Sequence, residues 1–241
     1  MSQVIFFDKN NKRIGLKVRS VTSGPETELL QEFVEKISKQ YQKNKSQYAI
    51  FIEPKLATGF PDAVIAEYKE ENLKNWNPAR CLLSETDIKL LYYLLFFKRA
   101  TKERIYTQTG ISPSGLLGAL ERLMDAELVI REKGQWAVAR DISQKMALHN
   151  LVAIEAKISN WNKVFEQAQG NFCFAKESYV LTPIKSPSEK IRERAHEIGV
   201  GIYALSPQKV LKITPPKRVN SWGSYTSLLF NEWLGRYAFL N

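Results

Sequence analysis

The segment Ile154-Glu155-Ala156-Lys157-Ile158 sets an acid and a base two positions apart within an apolar run. On an extended strand alternate side chains share a face, so Glu155 and Lys157 project together and Ile154, Ala156 and Ile158 project the other way. Charged groups in such surroundings are costly to bury without a partner or a metal. A cross-strand ion pair at a sheet edge meets that cost in one way, and a metal ion shared with a second acid offers another. Phe60-Pro61-Asp62 heads the run Ala63-Val64-Ile65-Ala66, which places Asp62 near one end of a sheet. On neighbouring strands Asp62, Glu155 and Lys157 can meet. Two carboxylates supply hard oxygen ligands for Mg²⁺ (or Mn²⁺), and an ammonium beside them can orient or deprotonate a bound water. Such a site suits in-line attack on a phosphodiester.

Several elements must hold these residues. Val4 to Phe7 and the apolar positions Ile14, Leu16 and Val18, separated by turn-forming residues, predict an N-terminal β-hairpin. Ser23-Gly24-Pro25 breaks it, and Leu29, Leu30, Phe33, Val34 and Ile37 then fall on one helical stripe. Strands are expected at 48–52, 63–66, 151–158, 178–181 and 201–205, with helices at 161–172 and 187–198 between the later ones. Strands alternating with helices imply an α/β fold.

Residues 67–80 are polar, contain Asn77-Pro78, and look like a connector. Beyond them the texture changes. Ser84 and Asp87 have capping-box spacing ahead of a helix with Ile88, Leu91 and Leu94 on its apolar face. A short helix stops at Gly110, and Ser112-Pro113 opens a third. Residues 128–138, with Lys133-Gly134 at the tip, close the module as a hairpin. Three helices and a hairpin make a winged helix. The expected division is 1–76 and 141–241 for the α/β domain and 77–140 for the inserted winged helix. The apolar run from Trp222 to Phe239 is expected as a helix on the core or on a second subunit, which leaves a homodimer open.

Pro61-Asp62 followed by Glu155-Ala156-Lys157 resembles the signature of the PD-(D/E)XK nuclease superfamily, the restriction-endonuclease-like fold. The resemblance covers roughly 26–62 and 151–205, and its order of elements carries it. It implies a mixed sheet flanked by helices, Asp62 and Glu155 as metal ligands, and Lys157 positioning the nucleophilic water. It further implies an acid from the first core helix, Glu26 or else Glu28, and a glutamine on the helix after the lysine strand, Gln167. The sequence departs from the pattern in one respect: 92 residues, 63–154, stand between Asp62 and Glu155, where the family usually has a short hairpin. Asp141 is a rival for the metal aspartate but lacks the preceding strand and turn.

The formal net charge of +10 over 241 residues favours a polyanionic partner, and DNA is the expected one. On the winged helix the expected nucleic-acid residues are Ser112, Ser114 and Arg122 on the third helix and Arg131 and Lys133 on the wing. Residues 185–218 carry eight Lys and Arg against three acids, a possible phosphate track. Two cysteines, Cys81 and Cys173, exclude a disulfide scaffold. No run is long enough to span a bilayer and Met1 to Asp8 shows no signal pattern, so a cytoplasmic location without membrane partners is expected. The rival expectation is a non-catalytic DNA-binding regulator or complex subunit that keeps a silent nuclease fold.

Overall fold

The computed structural model describes residues 4–19, 23–43, 46–220 and 223–241. The chain divides into two units, residues 1–68 with 148–222 and residues 69–147 with 223–241. The first unit opens with β1 (Val4–Phe7), α1 (Pro25–Tyr41), β2 (Gln47–Ile52) and β3 (Ala63–Tyr68). The chain then builds most of the second unit. That stretch comprises α2 (Glu70–Lys74), a 3-10 helix (Pro78–Leu82), α3 (Glu85–Phe97), β4 (Arg99–Ala100), α4 (Lys102–Thr109), α5 (Pro113–Asp125), β5 (Val129–Glu132) and β6 (Gln135–Val138). It returns to the first unit with β7 (Leu148–Ala156), α6 (Trp161–Gly170), a 3-10 turn (Asn171–Cys173), β8 (Glu177–Thr182), α7 (Glu189–Ile198), β9 (Gly201–Leu205) and β10 (Val210–Thr214). The final element is α8 (Tyr225–Leu240).

The first unit is α/β, as expected: a mixed seven-stranded sheet in the order β1-β2-β3-β7-β8-β9-β10, flanked by helices. β3 runs antiparallel to both of its neighbours, β2 and β7, while β7, β8 and β9 are parallel, and β10 turns back along β9. Pro25 and the acids Glu26 and Glu28 suit the first turn of α1, where a missing N–H costs nothing and negative charge meets the helix dipole. Its stripe of Leu29, Leu30, Phe33 and Ile37 packs with Ile50, Ile65, Ile154 and Tyr179. Val164, Phe165 and Ala168 of α6 join Val180 and Ile202 in a separate cluster. Gly201 permits a close approach: a Cβ there would lie 2.3 Å from the ring of Tyr179, which stacks on Tyr203 at 4.0 Å.

The N-terminal hairpin does not form. β1 pairs in parallel with β2, and the segment after it makes only isolated bridges, Asn11 with Leu16 and Val18 with Pro54. Ile14 and Leu16 are buried all the same, at 1% exposure each, so their apolar spacing reflects anchoring and not a strand. β10 was not anticipated, although Val210-Leu211-Lys212-Ile213-Thr214 alternates with period two.

The second unit contains the expected helices and hairpin. Ser84 and Asp87 form a complete capping box on α3, and Gly110 ends α4 in the left-handed region at φ 66°. Lys133 and Gly134, at φ 50° and 77°, give the hairpin the positive dihedrals that a tight two-residue turn demands. The strands order β4-β6-β5. Two expectations fail here. Residues 67–80 are no solvated connector, because they include α2 and the buried Trp76 and Arg80. The C-terminal helix belongs to this unit and not to the α/β domain. Charge and shape explain why. Arg80, 2% exposed, needs a carboxylate, and Glu232 of α8 supplies it through two hydrogen bonds. The Trp76 ring lies so close to Gly235 that a Cβ would meet it at 2.0 Å. The boundaries accordingly fall at 68/69 and 147/148, with a return at 222/223. No helix among the described residues is long and apolar enough to cross a membrane.

Candidate active site

The ladder between β3 and β7 begins at Ala63 opposite Ile154, and Asp62 is the residue before it. The Asp62 carbonyl accepts a hydrogen bond from the Glu53 N–H at 2.9 Å, so the link to the β2 side continues. On the β7 side the carboxylate takes over: Asp62 Oδ2 accepts the Ala156 N–H at 2.7 Å. Continued register would set Pro61 opposite Ala156, and the Asp62 side chain supplies the acceptor there. This exchange fixes the carboxylate at the end of the sheet.

Glu155 lies on β7 opposite Val180 and is 4% exposed. Asn171 Nδ2, in the turn after α6, donates to Glu155 Oε1 at 2.7 Å. Burial pushes the Glu155 carboxyl up to about 8, with the Asp62 charge adding to the rise and the Asn171 bond and Lys157 opposing it. Burial likewise pushes Asp62 up to about 6; the Ala156 N–H and Lys157 pull it down, and Glu53 and Glu26 push it further up. Lys157 follows the last residue of β7. Its N–H donates to the Leu181 carbonyl at 2.9 Å, and its ammonium pairs with Glu26 at 2.8 Å. Glu155 and Lys157 thus draw their partners from different elements, Asn171 in the turn after α6 and Glu26 on α1.

A cavity of about 610 Å³ opens at this end of the sheet, lined by Glu26, Asp62, Lys157 and Gln167 among others. Four of the five expected residues therefore meet at one cavity, and Glu155 is coupled to it electrostatically through Asp62 and Lys157. Of the two candidate helix acids, Glu26 lines the cavity, whereas Glu28 is exposed and does not. Asp141, the rival aspartate, is exposed in the second unit and pairs with Lys145 at 3.5 Å. Sequence reasoning missed Glu53, Arg19 and Lys163 on the cavity wall, and Asn171 behind Glu155. Glu53 carried a signal, because it directly follows one strand of the pair whose other strand Asp62 directly precedes. Asn171 carried none.

Among the described residues no set of three or more His, Cys, Asp and Glu side chains converges as a ligand group. The donors at hand for a cation are the pair Asp62 and Glu155. Each keeps a carboxylate oxygen, Oδ1 and Oε2, without a hydrogen bond among the described residues. Asp62 is half-buried and Glu155 buried, and two carboxylates with hard oxygens left over at the end of one sheet fit a small divalent cation.

The nucleic-acid residues expected on the second unit fare unevenly. Arg122 is not free for phosphate: it forms a two-pronged pair with the buried Asp87, Nε at 2.9 Å and Nη2 at 2.8 Å. The Ser112 hydroxyl caps α5 by accepting the Gly115 N–H at 3.3 Å. Ser114, Arg131 and Lys133 are exposed, with the Arg131 guanidinium 5.5 Å from the Trp136 ring centre. The basic stretch 185–218 is also divided. Arg218 pairs with the buried Glu177 at 2.8 Å, and Lys212 lies over the Tyr179 and Tyr203 rings. Both line a separate cavity with Glu67 and Asn150, at the ends of β3 and β7 remote from Asp62 and Lys157. Cys81 and Cys173 are unpaired, and burial pushes both thiols up, opposite to the shift a thiolate nucleophile needs.

No protein-family model, curated protein or solved structure matches the chain.

Proposed function

We propose that the protein is a metal-dependent nuclease that hydrolyses phosphodiester bonds, DNA being its first expected substrate. In this reading the α/β unit is a restriction-endonuclease-like fold of the PD-(D/E)XK class, and residues 69–147 contain a winged helix that places nucleic acid. One observation carries the reading. Asp62, Lys157 and Glu26, drawn from widely separated parts of the sequence, line one cavity at one end of one sheet, Lys157 pairs with Glu26, and the buried Glu155 feels both Asp62 and Lys157.

Asp62 and Glu155 would hold Mg²⁺ or Mn²⁺ through their uncommitted oxygens. Such a cation would supply Lewis acidity, lowering the pKa of a bound water and offsetting negative charge on the phosphoryl oxygens. The remaining work falls to the chain. The Glu26 carboxylate holds the Lys157 ammonium at the cavity wall through their ion pair, where it would orient a water or a phosphate oxygen. Gln167, exposed on α6, offers an amide that donates to a phosphate oxygen and accepts from water. Asn171 holds Glu155 in place from behind.

The test is a cleavage assay on duplex, single-stranded and branched DNA and on RNA, with Mg²⁺, with Mn²⁺ and with chelator. Cleavage of at least one substrate, lost on chelation, is expected. Binding without cleavage under every condition would replace this reading with the silent, DNA-binding alternative.

A further inference from the structure

Residues 9–19 contain Lys9, Lys12, Arg13, Lys17 and Arg19 and no acid. They are not a loose tail. The Val18 N–H donates to Asn10 Oδ1 at 2.8 Å, the Arg19 N–H to the Glu53 carbonyl at 3.0 Å, and the Lys55 N–H to the Lys17 carbonyl at 2.9 Å. Ile14 and Leu16 anchor the arm from within. The backbone is therefore fixed against the turn that joins β2 to β3, and the cationic side chains stand exposed on it.

Between arm and turn runs a groove of about 580 Å³ whose walls include Lys12, Lys17, Arg19, Lys55 and Phe60. No carboxylate lines it. Among the described residues Lys12, Lys17 and Lys55 have no ion pair, so their charge is unspent. Arg19 and Phe60 line both this groove and the cavity of Asp62 and Lys157, so the two spaces are adjacent. Phe60, a large apolar ring left 38% exposed, stands at the junction.

We infer that this groove binds a single-stranded polynucleotide segment next to the scissile phosphate. Lys12, Lys17, Lys55 and Arg19 would track its phosphates, and a base would stack on Phe60. Cations along a groove with an aromatic face are what an unpaired strand needs. A duplex hides its base faces and has no use for an exposed ring. The inference rests on the nuclease reading for the word scissile, and it names the substrate class: nucleic acid with an unpaired strand at the cleavage point.

Fluorescence anisotropy of the full chain in EDTA separates the groove from catalysis. The probes are fluorescein-labelled dT20, rU20 and a 20-base-pair DNA duplex. Phe60→Ala should weaken dT20 or rU20 binding about ten-fold, the loss of roughly one stacked base. The duplex should be little affected, and Phe60→Trp should restore binding. Lys17→Ala with Lys55→Ala should lower the slope of log K against log salt by about 1.4, at 0.7 per phosphate contact. Thermal melting checks that each variant is folded. The two strand probes distinguish DNA from RNA. Unchanged single-strand affinity in folded variants, or an equal loss on duplex, would overturn the groove whatever the protein cleaves. If the groove effects hold and no substrate is cut with Mg²⁺ or Mn²⁺, the nuclease reading fails and the binding site stands.

Discussion

The Lys157 ammonium pairs at 2.8 Å with Glu26, a residue 131 positions earlier on the first turn of α1. Under the nuclease reading this acid would serve the site chiefly through the lysine. Part of Lys157 remains exposed, 24% of its side chain, which leaves it able to reach a ligand in the cavity. Glu26 is in this view a positioning residue.

Glu26→Gln should lower kcat by on the order of ten-fold, about 1.4 kcal/mol of barrier, with KM little changed. Glu26→Asp, which keeps the charge on a shorter stem, should recover part of that loss. Steady-state kinetics on the best substrate of the cleavage panel checks this. A loss in Glu26→Gln as deep as that of Lys157→Ala would mean that Glu26 acts on the substrate or the cation directly.

Stability without metal should fall as pH rises. The Asp62 and Glu155 carboxyls are raised in the folded state, to about 6 and about 8, so the folded chain keeps protons that the unfolded chain has already released. Below about pH 4 both states hold them; above that only the folded state does, up to about pH 6 for Asp62 and about pH 8 for Glu155, and stability declines through that window. Melting temperature in EDTA should drop by several degrees from pH 5 to pH 8, and Glu155→Gln should flatten the curve. Mg²⁺ should raise the melting temperature most at the high-pH end, where the carboxylates are bare.

The buried pair Arg80 and Glu232 holds α8 to residues 69–147. Glu232→Ala should destabilise that unit by about 3–5 kcal/mol, because a buried guanidinium loses its partner. Gly235→Ala should also be costly, since the new methyl collides with Trp76. Chemical denaturation followed by tryptophan fluorescence reads both. If Glu232→Ala unfolds like wild type, the helix is not integral to the unit.

Arg122 should behave as a structural residue. Its pair with Asp87, fully buried beside the α3 cap, predicts that Arg122→Ala lowers stability by about 1–3 kcal/mol. The salt slope of DNA binding should stay as it was, whereas Arg131→Ala or Lys133→Ala should each lower it by about 0.9 if the wing touches duplex phosphates.

The sequence made local features legible. Apolar stripes, the Ser84 capping box, the Gly110 stop and the Lys133-Gly134 turn depend on neighbours within a few residues, and each lies where spacing put it. The meeting of Asp62 with Glu155 and Lys157 was legible for a different reason, because strand ends place residues even when 92 others intervene. What stayed hidden depends on partners remote in sequence. Trp76 and Arg80 look polar-linker-like until α8 supplies Gly235 and Glu232. Arg122 looks like a free cation until Asp87 claims it. The alternation around Ile14 and Leu16 imitates a strand, because burial against a turn selects the same apolar residues.

The central claim is tested most directly by the single-turnover cleavage rate in Mg²⁺ for wild type, Lys157→Ala and Asp62→Asn. The substrate is whichever form the wild type cuts fastest, with binding measured in parallel in EDTA. Wild type should cleave, and each variant should lose about a thousand-fold in rate while staying folded and binding within a few-fold. Equal cleavage by wild type and both variants would contradict the assignment of the reaction to this end of the sheet.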